Sequence, residues 1–125
     1  MDDKRSVLVV DDVEQNRRAV KTFLFFCHFE ATLASDGLEA RKILESRSFD
    51  LVVSDIEMPN MNGFELLASI RKSPAHGKTP VIMLSTLDTP EVQERCKRLG
   101  ANAYIVKPFT KEKFDAALKA IGLIP

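Results

Sequence analysis

The chain has 125 residues, with 18 Lys+Arg against 18 Asp+Glu and an apolar fraction of 45%. That is one domain's worth of chain, able to bury its own core and too apolar for disorder. A net charge of zero lacks the basic excess that nucleic acid or an anionic membrane surface selects. The longest apolar run, Phe23 to Cys27, is five residues, whereas a membrane span takes ~20.

The first residues, Met1-Asp2-Asp3-Lys4-Arg5-Ser6, carry no apolar leader. The expectation is a cytoplasmic single domain over 1–125 with no output domain appended. The first apolar run, Val7 to Val10, predicts a strand, and apolar spacing over 13–27 (Val13, Val20, Phe23, Leu24, Cys27) predicts a helix. Ala31 to Ala34 predicts a weaker edge strand, followed by a helix over 37–46 that opens at Asp36. Leu51 to Val53 predicts the third strand and 63–72 the third helix, with Asn62 as its cap. Val81 to Leu84 is the fourth strand; Thr89-Pro90-Glu91 starts a helix over 91–99 that Gly100 stops. Ala103 to Val106 is the fifth strand, and Thr110 opens the last helix over 111–121. Most of these short runs are continuous rather than alternating, as in strands covered on both faces. Strict alternation with helices gives an α/β fold, a (βα)5 doubly wound, five-stranded parallel sheet of the flavodoxin type, with strand order 2-1-3-4-5.

Two cysteines, Cys27 and Cys96, are too few for a disulfide framework, and His28 and His76 lie in unrelated segments. Cys27 and Cys96 read as small buried hydrophobes. One segment resists a simple helical stripe: Phe23-Leu24-Phe25-Phe26-Cys27 points apolar groups all round a helix. Phe25 and Phe26 are expected to pack under the following loop, the rival being an apolar spot for a partner.

Sites in such sheets collect beyond the carboxyl ends of strands, where strand order reverses. Asp11 and Asp12 follow the first strand, Asp55 and Glu57 the third, Ser85 and Thr86 the fourth, Lys107 and Pro108 the fifth. Strands one and three flank the reversal, so Asp11, Asp12 and Asp55 fall together. Three neighbouring carboxylates repel, and Mg²⁺ relieves this with one or two carboxylates, a carbonyl and waters. Lys107 adds a point charge for a phosphate oxygen, and Ser85 or Thr86 a hydroxyl. With a carboxylate as nucleophile, the set suits phosphoryl transfer to an aspartate. Read alone, the Asp pair could cap the first helix, Asp55 could sit in a turn, and Lys107-Pro108 could be a loop.

Val9-Val10-Asp11-Asp12, the run from Asp55 to Gly63, Leu84-Ser85-Thr86 and Val106-Lys107-Pro108-Phe109 together resemble the receiver domain of response regulators in two-component signalling. The resemblance spans the whole chain. It implies that Asp55 is the phosphoacceptor, fed by a histidine kinase or phosphotransfer domain. It implies that Asp12, Asp55 and the Glu57 backbone carbonyl bind Mg²⁺, with Asp11 acting through water. Lys107 would pair with the acceptor and then the phosphoryl group, Ser85 would bond a phosphoryl oxygen, and Tyr104 would be the aromatic switch. A cis Lys107–Pro108 bond is also implied. Thr86 departs from the family's usual Ala or Gly, and Glu57 and Leu87 stand where the family tunes dephosphorylation.

The expected function is a stand-alone phospho-switch, not an enzyme beyond weak phosphotransfer and autophosphatase chemistry. It would signal to an unknown protein partner through its last helices and fifth strand, with no nucleic acid or membrane involved, as a monomer or phosphorylation-dependent dimer. Alternatives are a receiver fragment of a hybrid kinase, suggested by Asn16-Arg17, and a phosphorylation-independent scaffold. An aspartyl phosphatase is disfavoured because Asp11-Asp12-Val13-Glu14 lacks the Asp-x-Asp pattern of that chemistry.

Overall fold

A computed structural model of the chain describes residues 4–124. Five strands and five helices alternate: β1 (Arg5–Val10), α1 (Glu14–Phe25), β2 (Phe29–Ala34), α2 (Gly37–Leu44), β3 (Leu51–Asp55), α3 (Gly63–Lys72), β4 (Val81–Ser85), α4 (Pro90–Arg98), β5 (Ala103–Val106) and α5 (Lys111–Ala120). All strand pairs are parallel and the order is β2-β1-β3-β4-β5. The doubly wound topology expected from the alternation is the one observed.

Period-two geometry explains the two-sided core. Val7 and Val9 of β1, Leu51 and Val53 of β3, and Ile82 and Leu84 of β4 face α1 and α5, meeting Val20, Leu24, Phe114 and Leu118. Leu8, Val10, Val52 and Met83 face the other way, onto Ala40, Leu44, Leu66, Leu67, Ile70 and Cys96. Each large side chain buried in this way contributes about 1.5–3 kcal/mol. Phe114 is sandwiched by Phe23 and Phe109, with ring centroids 5.5 and 5.8 Å away.

The anticipated caps form. Asp36, Asn62, Thr89 and Thr110 each accept from the backbone N–H three residues on, and Asn62 and Glu65 complete a capping box. Gly100 takes a φ of +98°. The Gly100 N–H bonds the Lys97 carbonyl and the Ala101 N–H the Cys96 carbonyl, a Schellman ending to α4. Arg71, at the end of α3, locks this turn: its guanidinium donates to the carbonyls of Gly100, Thr79 and Gly77 and to Asn102 Oδ1, at 2.7–3.3 Å.

Several boundaries differ from the sequence pattern. β2 starts two residues earlier than the apolar run, because Phe29 is core while Glu30 faces solvent. β3 runs on through Ser54 and Asp55, both buried despite being polar. α1 stops at Phe25 rather than 27, since the N–H groups of Cys27 and His28 tighten onto the carbonyls of Leu24 and Phe25 and His28 turns left-handed at φ 66°. Phe25 and Phe26 do not pack under the next loop: they are 55% and 66% exposed and meet edge to face. Because α1 runs antiparallel to β1, this pair lies about 18 Å of helix away from its site end, beside the start of β2. Among the described residues no helix is long and apolar enough to cross a membrane.

Candidate functional site

Register brings the chemistry together. Val10 pairs with Ser54, Asp55 with Leu84 and Ser85 with Val106. Parallel strands lie ~4.8 Å apart, so the residues at or just beyond these positions converge at one edge of the sheet. Asp11, Asp12 and Asp55 each offer a carboxylate oxygen within 4.8 Å of the others. Asp11 and Asp55 are buried, at 0% and 4% exposure, while Asp12 is exposed.

Lys107 bridges the buried pair. Its Nζ lies 3.3 Å from Asp55 Oδ1 and 3.6 Å from Asp11 Oδ2. The Lys107 backbone N–H is tied to the Ser85 carbonyl at 2.8 Å, and the bond to Pro108 is cis. The Ile56 N–H donates to Asp55 Oδ1 at 2.9 Å. Burial chiefly, and then the Asp11 charge, raises the Asp55 pKa to about 6 against the opposing pull of Lys107 and the Ile56 N–H. Asp55 is therefore largely ionised at neutral pH, but at a cost.

Asp11 forms an Asx turn ahead of α1: its Oδ1 accepts the Val13 N–H at 2.9 Å. The local reading of the pair as caps of the first helix does not hold, since Val13 is the N-cap of α1 and no side chain caps it. The other Asp11 oxygen, Oδ2, is buried with no hydrogen-bond partner and only the Lys107 cation nearby. An orphaned, buried carboxylate oxygen within an acidic trio is a donor set suited to a hard cation.

Gly63 permits this packing. Its N–H bonds the Ile56 carbonyl at 2.8 Å, and a Cβ would fall 2.3 Å from the Asp55 carbonyl oxygen and 2.7 Å from Ile56 Cα. The β3–α3 loop closes tightly under the acceptor only because that side chain is missing.

Ser85 is buried, and its hydroxyl donates to Glu57 Oε1 at 3.4 Å and accepts the Leu87 N–H at 2.9 Å. Thr86, exposed beside it, donates to the same Glu57 oxygen at 3.2 Å. Of the two hydroxyls left open by the sequence, Ser85 is the one inside the site. Tyr104 is half-buried on β5, and its hydroxyl donates to the Leu87 carbonyl. Burial pushes its phenol pKa up, partly offset by the nearby Ser85 hydroxyl. The structure thus brings Asp11, Asp12, Asp55, Lys107, Ser85 and Glu57 together and sets Tyr104 one loop away. Missing from the sequence expectation is Arg17, which donates to the Asp11 carbonyl at 2.7 Å. Its signal was faint: a cation four residues after Val13, on the side of α1 that faces the Asp pair.

The doubly wound sheet thus carries three carboxylates, a bridging lysine and a buried hydroxyl together at its strand ends. The family model for the response regulator receiver domain matches residues 7–119. The chain is 41% identical over 114 residues to chemotaxis protein CheY-3 of Vibrio cholerae, covering 87% of this chain and 88% of that one. It superposes on chemotaxis response regulator CheY4 of Vibrio cholerae with a TM-score of 0.88 at 35% identity, covering 94% and 98% of the two chains. It also superposes on the receiver domain of sensor histidine kinase PA1611 from Pseudomonas aeruginosa, described with a magnesium ion in its active site cleft. There the TM-score is 0.85 at 25% identity, over 95% and 98% of the chains. The chain belongs to the response regulator receiver family and is of the CheY type, a phosphoaccepting component of two-component signalling.

Proposed function

We propose that Asp55 accepts a phosphoryl group from a histidine kinase or phosphotransfer domain, and that the resulting change is read by a protein partner on α4, β5 and α5. The observation that carries this is the Lys107 ammonium held against both buried carboxylates, Asp55 and Asp11. Asp55 Oδ1 is occupied by Lys107 and the Ile56 N–H, which leaves Oδ2 to attack. A bond forms from Oδ2 to phosphorus as the bond from phosphorus to the donor's imidazole nitrogen breaks and its electron pair returns to that nitrogen. Lys107 then turns from carboxylate to phosphoryl oxygen, and Ser85 donates to another.

Asp12, Asp55 and the Glu57 backbone carbonyl would hold Mg²⁺, with Asp11 behind a water; the unpartnered Asp11 Oδ2 supports that donor set. When bound, the ion neutralises charge on the incoming phosphoryl oxygens. This chemistry serves a switch rather than turnover of a substrate. The match over 88% of the length of CheY-3 favours a stand-alone regulator. The kinase receiver among the structural relatives favours the rival, a segment of a hybrid kinase. A constitutive scaffold is disfavoured, because Lys107, Ser85 and all three aspartates are in place.

Intact mass after incubation with Mg²⁺ and acetyl phosphate tests the site. One phosphoryl adduct on the wild type and none on Asp55→Asn is the expected result. An adduct on both proteins refutes the assignment of Asp55.

A further inference from the structure

One carboxylate oxygen holds two hydroxyls beside the acceptor. Glu57 leaves β3 two residues after Asp55, and its Oε1 accepts from Thr86 Oγ1 at 3.2 Å and Ser85 Oγ at 3.4 Å. A serine hydroxyl has one proton to give. While that proton is aimed at Glu57, it is unavailable to anything attached to Asp55. The Ser85 oxygen meanwhile accepts the Leu87 N–H at 2.9 Å, and the Leu87 carbonyl accepts from Tyr104. A continuous path of hydrogen bonds therefore links Glu57 on one loop, Ser85 to Leu87 on the next, and Tyr104 on β5.

We propose that Glu57 and Thr86 form a positioning pair that holds Ser85 in its resting orientation and sets the threshold for the switch. The proposal rests on Asp55 being the phosphoacceptor. Glu57 is exposed, and its bond to Ser85 alone is long; a free glutamate side chain at such a place loses rotamer entropy by staying put. The Thr86 hydroxyl supplies the second anchor that keeps the carboxylate over Ser85. A phosphoryl group on Asp55 carries about two negative charges at neutral pH, one more than the carboxylate it replaces. It then repels the Glu57 carboxylate and competes for the Ser85 proton. Release of Glu57, reorientation of Ser85 and loosening of Leu87 from Tyr104 become one event.

The chain has one tyrosine and no tryptophan, so tyrosine emission reports on Tyr104 alone. The Mg²⁺-loaded protein is titrated with beryllium fluoride, a stable phosphoryl mimic, while Tyr104 emission and the Leu87 backbone amide resonance are followed. Thr86→Val alters no charge, yet it should lower the midpoint by roughly fivefold, the scale of one hydrogen bond. It should also move the unliganded Leu87 resonance toward its loaded position. Glu57→Ala should do at least as much, and the double variant no more than Glu57→Ala. Glu57→Gln keeps Oε1 and removes the charge, so it should shift the midpoint while leaving the unliganded Leu87 resonance closer to wild type than Glu57→Ala does. A Thr86→Val protein matching wild type in both midpoint and resonance overturns the proposal, as does full additivity of Thr86→Val and Glu57→Ala. A wild type that does not respond to beryllium fluoride overturns the underlying assignment of Asp55 instead.

Discussion

Asp55→Asn should stabilise the fold at neutral pH when divalent ions are chelated, although it removes the residue on which the site centres. The Asp55 carboxyl is 4% exposed and faces Asp11. Its pKa rises from 3.8 to about 6, through burial first and the Asp11 charge second. The unfolded chain releases this proton near 3.8, whereas the folded chain keeps it until about 6. The folded state thus binds the proton more tightly, so acid favours it. The penalty is absent below about pH 4, grows as pH rises and is complete above about 6. At about 1.36 kcal/mol per pH unit, the separation is worth at most about 3 kcal/mol. The variant gives back part of this, because Lys107 loses one of its two anions. The expected gain is about 1–3 kcal/mol near pH 7.5, shrinking toward zero near pH 4. Urea unfolding of both proteins across that range, in chelator, measures it. A difference that does not change with pH, or a variant less stable than wild type near pH 7.5, refutes the reasoning.

Lys107→Ala leaves Asp11 and Asp55 facing each other without their shared cation. Its loss of stability should be larger at pH 8 than at pH 5, and carboxyl NMR should find Asp55 titrating above its wild-type value. Gly63→Ala forces a Cβ against the Asp55 carbonyl; overpacking of this kind costs about 1–3 kcal/mol in urea unfolding and should slow acetyl phosphate uptake as the β3–α3 loop shifts. Mg²⁺ should raise the melting temperature of the wild type, reversibly with chelator, and much less in Asp12→Asn. Phe25→Ser combined with Phe26→Ser alters only exposed rings at the pole of α1 away from Asp55. Stability should stay within about 0.5 kcal/mol, and phosphotransfer from the cognate donor should be unchanged.

β1, β3 and β4 were plain in the sequence because the stretches of them covered on both faces, Val7–Val10, Leu51–Val53 and Val81–Leu84, are unbroken apolar runs, and their end residues announced the site; Arg5 and Ser6, which open β1, lie outside that pattern. The site's polar strand end was harder: Ser54 and Asp55 belong to β3, yet hydrophobic pattern stops at Val53. β2 hid its first two residues because an edge strand alternates, with Phe29 inward and Glu30 outward. The end of α1 was misplaced because apolar content does not reveal a left-handed turn at His28. Apolar content also suggested packing for Phe25 and Phe26 that the short connection to β2 does not provide. The meeting of Glu57 with Thr86 across two loops had no sequence signal, since it depends on side-chain rotamers after the sheet has brought the loops together. Arg17 was a matter of helical phase, visible only once the start of α1 was fixed at Glu14.

The Arg71 guanidinium gives α4 a mechanical character. The turn after the C-terminal end of α4 is riveted through Gly100 and Asn102 to the end of α3 and the approach to β4. At its opposite end α4 hangs from the Ser85–Leu87 segment, and within the helix only Cys96 is fully buried. A rod clamped at one end and lightly seated along its length behaves as a lever with its fulcrum at the clamp. A displacement at Leu87 would then swing the Pro90 end while leaving Gly100 in place. A partner gripping the middle of α4 would feel a change of tilt rather than a translation.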